Sequence, residues 1–313
     1  MSTRVITQLG ATDAHRQLIL DAHPDVELID FSGDPPAGLQ ADVFFGGYMG
    51  WDRIVQWLDA TGVRWVQLSG TGVDKVPDAV YAGRKVTCAR GAAAVPIAEW
   101  VIAAILARAK RLPEVFVRQP PKYWNFPIPP LDAVAGSTLG IVGLGGIGVA
   151  IAERALPLGM QVRALRRTDA PSPLEGVEVV KDIGELVTGA DHVVLAAPAT
   201  SRTRHLFDAS VFAQVKPGMH LVNIARGALV DQDALRVALD DGRVAVATLD
   251  TVDPEPLPEG HWLYTHPQVR LSAHVSWYTP ELQRTAVEIF VDNLGRFLRD
   301  EPLLHVVDRD EGY

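Results

Sequence analysis

Short runs of β-branched and aromatic residues alternate along this chain with stretches of helical periodicity, and the alternation occurs twice. Strands spaced in this way are joined by crossover helices, so they run parallel in a sheet covered on both faces. The first series predicts strands at 5–8, 26–31, 42–47, 63–69 and 85–89, with helices at 13–22 and 51–60. A long helix over 96–112 and a segment rich in proline and aromatics over 118–131 lead into the second series. Its strands are expected at 138–143, 161–165, 192–197, 220–224, 244–249 and 269–272. Six strands suit a doubly wound fold. An amphipathic helix over 279–299 follows, with Leu282, Ala286, Ile289, Phe290, Leu294 and Phe297 on one face.

A length of 313 residues accommodates two ordinary domains, and 48% hydrophobic with 21% charged residues is the composition of a globular chain. Lysines and arginines number 29 against 38 acids, a formal charge of −9 that argues against nucleic acid or an anionic membrane as the main partner. Cys88 is the only cysteine, which excludes an intrachain disulfide and a cysteine-rich zinc site and leaves a cytoplasmic location as the expectation. The uncharged run from 133 to 152 has the length of a membrane span, but six of its residues are glycines, and it reads as strand, loop and helix.

That run contains Gly143-Leu144-Gly145-Gly146-Ile147-Gly148, a GxGxxG turn between an apolar strand and a helical pattern. Gly143 permits the tight turn, Gly145 the approach of backbone to a pyrophosphate, and Gly148 the close packing of helix on strand. The helix N-terminus then offers unpaired N–H groups to the phosphates. In such a unit an acid at the end of the next strand holds the ribose 2′-hydroxyl of NAD. Here that strand ends in Arg166-Arg167-Thr168, with no carboxylate. Two guanidiniums suit a 2′-phosphate, so NADP(H) is expected in preference to NAD(H).

Three further segments place ionisable residues next to predicted strand ends: 223–231 with Arg226, 249–256 with Asp250 and Glu255, and 272–277 with His274. Arginine, carboxylate and histidine together suffice to reduce a 2-oxo acid. Arginine clamps the carboxylate and carbonyl oxygen, histidine donates a proton, and the carboxylate holds the imidazole protonated.

In the order and spacing of these motifs, from about residue 63 to 281, the sequence resembles the D-2-hydroxyacid dehydrogenase family, in its glyoxylate/hydroxypyruvate reductase-like branch. The resemblance implies Arg226 as the substrate-binding arginine, Glu255 as the partner of the histidine, His274 as general acid/base, and Asp250 as a contact of the nicotinamide carboxamide. It also implies that the backbone of Gly72 and Val73, in Ser69-Gly70-Thr71-Gly72-Val73-Asp74, receives the substrate carboxylate. The implied fold is α/β, with two doubly wound parallel-sheet domains. A Rossmann dinucleotide-binding domain over 99–278 is inserted in a flavodoxin-like substrate domain made of 1–98 and 279–313. A homodimer is implied, with the segment 112–131, including Tyr123, Trp124 and Phe126, in the contact.

The sequence departs from the family at Arg166, at Ala273 in place of a usual proline, and at Trp277 and Tyr278 in place of small residues. Tyr48, Met49 and Trp51 are candidates for contacts to the substrate side chain. The expected activity is NADPH-dependent reduction of a small 2-oxo acid to the 2-hydroxy acid, D where chiral. The alternatives are a bulkier 2-hydroxy acid and a dinucleotide-sensing, corepressor-like protein; Arg226, Glu255 and His274 favour catalysis over the latter. Formate oxidation is disfavoured because Glu255 stands where that branch has glutamine. The remaining histidines lack metal-ligand spacing, and no metal is expected.

Overall fold

The computed structural model describes residues 2–8, 13–30, 33–47, 50–120, 130–168, 170–309 and 311–312. The chain forms two compact units, one made of Met1–Ala93 with Tyr278–Tyr313 and the other of Ala94–Trp277.

The first unit contains β1 (Arg4–Thr7), α1 (Asp13–Ala22), β2 (Glu27–Ile29), β3 (Val43–Gly46), α2 (Trp51–Thr61), β4 (Trp65–Leu68), α3 (Asp78–Tyr81) and β5 (Lys85–Thr87). All pairings are parallel, in the order β2-β1-β3-β4-β5. Every residue of β3 and β4 is buried, as strands covered on both faces must be, which is why they read as unbroken apolar runs. The C-terminal helix, Glu281–Leu298, lays Phe290 on Phe45 at 4.2 Å between ring centroids and beside Trp65 at 5.6 Å. Its buried Asn293 bonds Gln67 and the backbone of Leu304, and Gln67 in turn accepts from Thr87, so the polar groups enclosed with the aromatics are satisfied. Beyond the helix the tail runs antiparallel beside β5, with a bridge from Val306 to Thr87.

The second unit begins with α4 (Ala94–Ala109) and continues through β6 (Thr138–Val142), α5 (Gly146–Ala155), β7 (Gln161–Leu165), β8 (Val177–Val180), α6 (Ile183–Gly189), β9 (His192–Leu195), α7 (Ala209–Phe212), β10 (Met219–Asn223), α8 (Gln232–Asp240), β11 (Val244–Leu249) and β12 (Val269–Leu271). The sheet has seven parallel strands in the order β12-β11-β10-β9-β6-β7-β8. Sequence periodicity yields only six. The missing one is β8, a four-residue edge strand, Val177-Glu178-Val179-Val180, whose apolar run is short and follows the loop residues Pro171, Pro173 and Gly176. The run 133–152 resolves into β6, a turn and the start of α5, and among the described residues no helix is long and apolar enough to cross a membrane. Of the candidate subunit-contact segment, Tyr123, Trp124 and Phe126 lie outside the described residues, while Phe116 and Val117 are exposed.

Between β6 and β9, parallel neighbours separated in sequence by β7 and β8, the order in which strands are added to the sheet reverses. The carboxyl edge at such a reversal opens a crevice where ligands bind. At the opposite, amino edge, His192 and His220 pair side by side on β9 and β10. Their Nδ1 atoms lie 3.2 Å apart, and His220 Nε2 lies 2.9 Å from Thr248 Oγ1. Burial, reinforced by the positive charge of Arg108, pushes the His192 imidazole down to about 4, and burial lowers His220 as well.

This pair makes the fold acid-sensitive. In the unfolded chain a histidine takes its proton near pH 6.5, whereas folded His192 refuses it until about pH 4. The unfolded state therefore binds more protons between these values, and stability is lost as pH is lowered across the window. His192 alone should remove about 3 kcal/mol between pH 6.5 and 4. Urea unfolding at stepped pH should show this slope in the wild type and a shallower one in His192→Gln; equal slopes would remove the pair as the cause.

Candidate active site

The turn between β6 and α5 is shaped by backbone contacts that exclude side chains. A Cβ on Gly148 would lie 2.1 Å from the carbonyl oxygen of Gly143. Gly143 has φ of 100°, and a Cβ there would strike the Ala196–Ala197 backbone at 2.8–2.9 Å. These two glycines thus seat the helix on the strand and close β6 against the end of β9. Gly145 differs, because a Cβ there would meet nothing within 4 Å. Gly145 and Gly146 are exposed, Leu144 turns into the core, and Ile147 is half-buried. No side chain caps α5. Open space above an uncapped helix start fits a dinucleotide pyrophosphate, which would accept from the N–H groups of this first turn.

At the end of β7, Arg166 is half-buried and donates from Nη1 to the carbonyl oxygens of Ala170 (3.2 Å) and Pro171 (2.7 Å), while Arg167 is exposed. No carboxylate occupies either position.

Three loops at the carboxyl ends of β10, β11 and β12 carry the other candidates. After β10, Asn223 folds the loop from both ends of its amide. Its Oδ1 accepts from the N–H of Ala225 and its Nδ2 donates to the carbonyl of Arg226. Arg226 thereby takes an extended conformation just before a short 3-10 turn, Gly227–Leu229, and is half-buried. Gly227 is where the next loop crosses. A Cβ on it would fall 1.9 Å from the carbonyl carbon of Val252, so only hydrogen permits the Arg226 loop and the loop after β11 to touch.

In the loop after β11, Asp250 is 1% exposed. Its carboxylate accepts from Ser272 Oγ, from the N–H of Val275 at 2.9 Å and from the N–H of Ser276 at 3.0 Å, and its carbonyl accepts from the N–H of His274 at 2.9 Å. Burial pushes the Asp250 carboxyl up, but hydrogen bonds from Ser272, Ser276 and Val275 outweigh it and hold the group below the usual carboxylate range. These bonds fasten the loop after β12 around His274, whose φ of 54° is left-handed. A non-glycine residue in that region requires surrounding contacts to hold it. Glu255 completes the arrangement, its Oε2 lying 3.1 Å from His274 Nδ1 while its Oε1 accepts from the N–H of Val252. With Nδ1 directed at a carboxylate, Nε2 is the nitrogen left for chemistry.

Gly72 and Val73 belong to the first unit, in the loop after β4, with Val73 buried and Gly72 half-buried. Among the described residues no protein acceptor takes either N–H. Trp277 is 36% and Tyr278 74% exposed, and Trp51 opens α2. Tyr48 and Met49 lie outside the described residues. Among the described residues no group of three or more His, Cys, Asp or Glu side chains could hold a metal ion. Sequence reasoning gave no part to Asn223, Gly227, Ser272 or Ser276. All four flank the chosen residues, and small or amide residues at strand ends were the available signal.

The family model "D-isomer specific 2-hydroxyacid dehydrogenase, NAD binding domain" matches residues 102–276. The chain belongs to the D-isomer specific 2-hydroxyacid dehydrogenase family. It is 33% identical over 233 residues to a glyoxylate reductase from Thermofilum pendens, covering 72% of this chain and 68% of that protein. To a D-3-phosphoglycerate dehydrogenase from Methanocaldococcus jannaschii it is 34% identical over 247 residues, 77% of this chain and 46% of that one, so it spans about half the length of that relative. Among solved structures, a D-isomer specific 2-hydroxyacid dehydrogenase from Xanthobacter autotrophicus Py2, in complex with NADPH and MES, superposes with a TM-score of 0.82 at 27% identity and full coverage of both chains. The two parallel-sheet units are the architecture of this family.

The crossing at Gly227 yields a direct test. Gly227→Ala forces a methyl into the Val252 peptide, and overpacking of this kind costs about 1–3 kcal/mol. Denaturant unfolding should show that loss, while Ala228→Gly, one residue on, should cost less. A Gly227→Ala protein as stable as wild type would mean the two loops separate freely.

Proposed function

We propose that this protein reduces a small 2-oxo acid of the glyoxylate or hydroxypyruvate type to the 2-hydroxy acid, D where a stereocentre forms, with NADPH as the preferred reductant. The observation that carries the reading is the Glu255–His274 hydrogen bond of 3.1 Å in a loop pinned by Asp250. A dinucleotide sensor has no use for a histidine oriented in this way. The glyoxylate reductase among the relatives supports the choice of a short substrate.

The bound dihydronicotinamide supplies a hydride to the carbonyl carbon. The chain supplies the remaining chemistry. Protonated His274 gives its Nε2 proton to the oxygen as negative charge develops there, so one hydride and one proton convert C=O to CH–OH. Glu255 receives the Nδ1–H bond and stabilises the imidazolium before transfer. Arg226 binds the substrate and offsets charge on the developing alkoxide. Gly72 and Val73 offer their N–H groups to the substrate carboxylate. Asp250 acts on the nicotinamide carboxamide and, through its bonds to 272–276, on the position of His274.

His274→Ala should lower kcat by about 10²-fold or more with cofactor affinity retained, since general acid catalysis contributes at least that factor. Turnover near wild type would exclude the role. Glu255→Gln removes the charge that favours the imidazolium, so the alkaline limb of the reduction profile should move to lower pH, as steady-state kinetics across pH would read.

The cofactor preference rests on Arg166 and Arg167, which stand where a ribose-binding acid would repel a 2′-phosphate, and is supported by the NADPH-bearing relative. A hydrogen bond to a charged group contributes ~1.5–3 kcal/mol, less when exposed, so kcat/KM should favour NADPH by about tenfold or more, equivalent to ~1.4 kcal/mol. Arg166→Asp and Arg167→Ala should each narrow that gap. A wild-type preference for NADH, or a ratio unmoved by both substitutions, would make the arginines ordinary surface groups. Glyoxylate, hydroxypyruvate and larger 2-oxo acids assayed side by side would rank the substrates.

A further inference from the structure

The loop after β4 carries the N–H groups of Gly72 and Val73, and its sequence, Gly70-Thr71-Gly72, is poorly suited to hold them still. A glycine loses more conformational freedom on ordering than any other residue, and here two of them flank one threonine. Donors that receive an anion bind it well only when they are aligned before it arrives, because freedom frozen on binding subtracts from affinity. The loop therefore needs fixed points, and the first unit supplies them.

Before the glycines, the N–H of Ser69 donates to the carbonyl of Gly46 on β3 at 2.8 Å. After them, Val73 and Val76 are buried in one core with Val66 and Leu68 of β4. Between these points the loop is fastened to Ala89, just beyond β5, by two bonds in opposite senses. The N–H of Ala89 donates to the carbonyl of Gly70 at 2.9 Å, and the hydroxyl of Thr71 donates to the carbonyl of Ala89 at 3.2 Å. The backbone bond alone would leave Gly70 as a pivot. The second bond, one residue on, fixes the direction in which the chain leaves that pivot toward Gly72. Threonine suits the task because β-branching restricts its side chain to few rotamers, so the hydroxyl is itself held in place. Ala89 is wholly buried, which keeps water from taking over the acceptor.

We infer that Thr71 is a positioning residue for the substrate: through Ala89 its hydroxyl aligns the N–H groups of Gly72 and Val73 before the substrate carboxylate reaches them. The inference rests on the role proposed above for those two N–H groups. It assigns Thr71 no contact with the substrate. The carbonyl of Ala89 also accepts from the N–H of Ala92 at 3.1 Å, so removing the hydroxyl leaves no buried acceptor bare and the fold should tolerate the change.

Two substitutions separate the hydroxyl from the shape of the side chain. Thr71→Val keeps the branching and loses the bond, whereas Thr71→Ser keeps the bond and loses a methyl. In steady-state kinetics on the full-length protein, Thr71→Val should raise KM for glyoxylate or hydroxypyruvate by about three- to tenfold, the equivalent of one hydrogen bond, with a smaller loss in kcat. The inhibition constant of oxamate, a carboxylate shaped like the substrate that is not reduced, should rise by the same factor. NADPH affinity, read by its fluorescence, should stay at the wild-type value, and Thr71→Ser should recover most of the lost substrate affinity. An unmoved KM in Thr71→Val, a Thr71→Ser protein as impaired as Thr71→Val, or NADPH affinity falling in step with KM would each overturn the inference while the proposed function stood. A wild-type protein that reduces no 2-oxo acid would sink that function, and this role with it.

Discussion

A carboxylate withdrawn from water must be given donors, and Asp250 takes all of its side-chain bonds from the segment that carries His274. The left-handed backbone at His274, unfavourable for a histidine by itself, persists because the residues on either side are tied to one buried charge. From that fixed point the imidazole reaches Glu255, whose other oxygen is occupied by the N–H of Val252 in the same loop as Asp250. The loop after β11 thus supplies both the anchor of the histidine and its partner. Removing the anchor would loosen an orientation on which the proposed proton transfer depends.

The parallel sheet supplies the frame for this. Because all seven strands point the same way, the glycine turn, the Arg226 loop, the Asp250–Glu255 loop and the His274 loop all emerge at one edge. Segments at that edge then pass close to one another, and Gly148 and Gly227 are two of the points where only glycine allows it. Gly148 admits the Gly143 carbonyl, and Gly227 admits the Val252 peptide. The first seats a helix end toward a pyrophosphate, while the second joins the arginine-bearing loop to the one with the glutamate. Glycine placement at the edge is therefore as much part of the site as the charged residues are.

Much of this was legible in the sequence because periodicity and turn chemistry are local signals. The helix Asp13–Ala22 and the strands Gln161–Leu165 and Val244–Leu249 have the limits that their apolar spacing predicts. β8 does not stand out, since three valines in a run of four are too short a signal to separate an edge strand from the loop before it, and its place is set by pairing with β7. In the site, Glu255 and His274 were found as chemistry-bearing types at strand ends. The clasp of Ser272, Val275 and Ser276 on Asp250 was not, because backbone N–H groups carry no sequence signature and serine is common in loops of every kind. The His192–His220 contact likewise depends on register between β9 and β10, which only the assembled sheet defines.

The stack of Phe290 on Phe45 and Trp65 joins the last helix to strands laid down at the beginning of the chain. On the ribosome the unit from Ala94 to Trp277 emerges as one continuous stretch and can close its core at once. The other unit must wait, its central strands made early but one apolar face bare until the whole intervening unit has been synthesised. Val43, Phe45 and Trp65 are then exposed sheet surface for much of translation. The order of synthesis thus leaves this half of the molecule to complete its packing last, although its strands are made first.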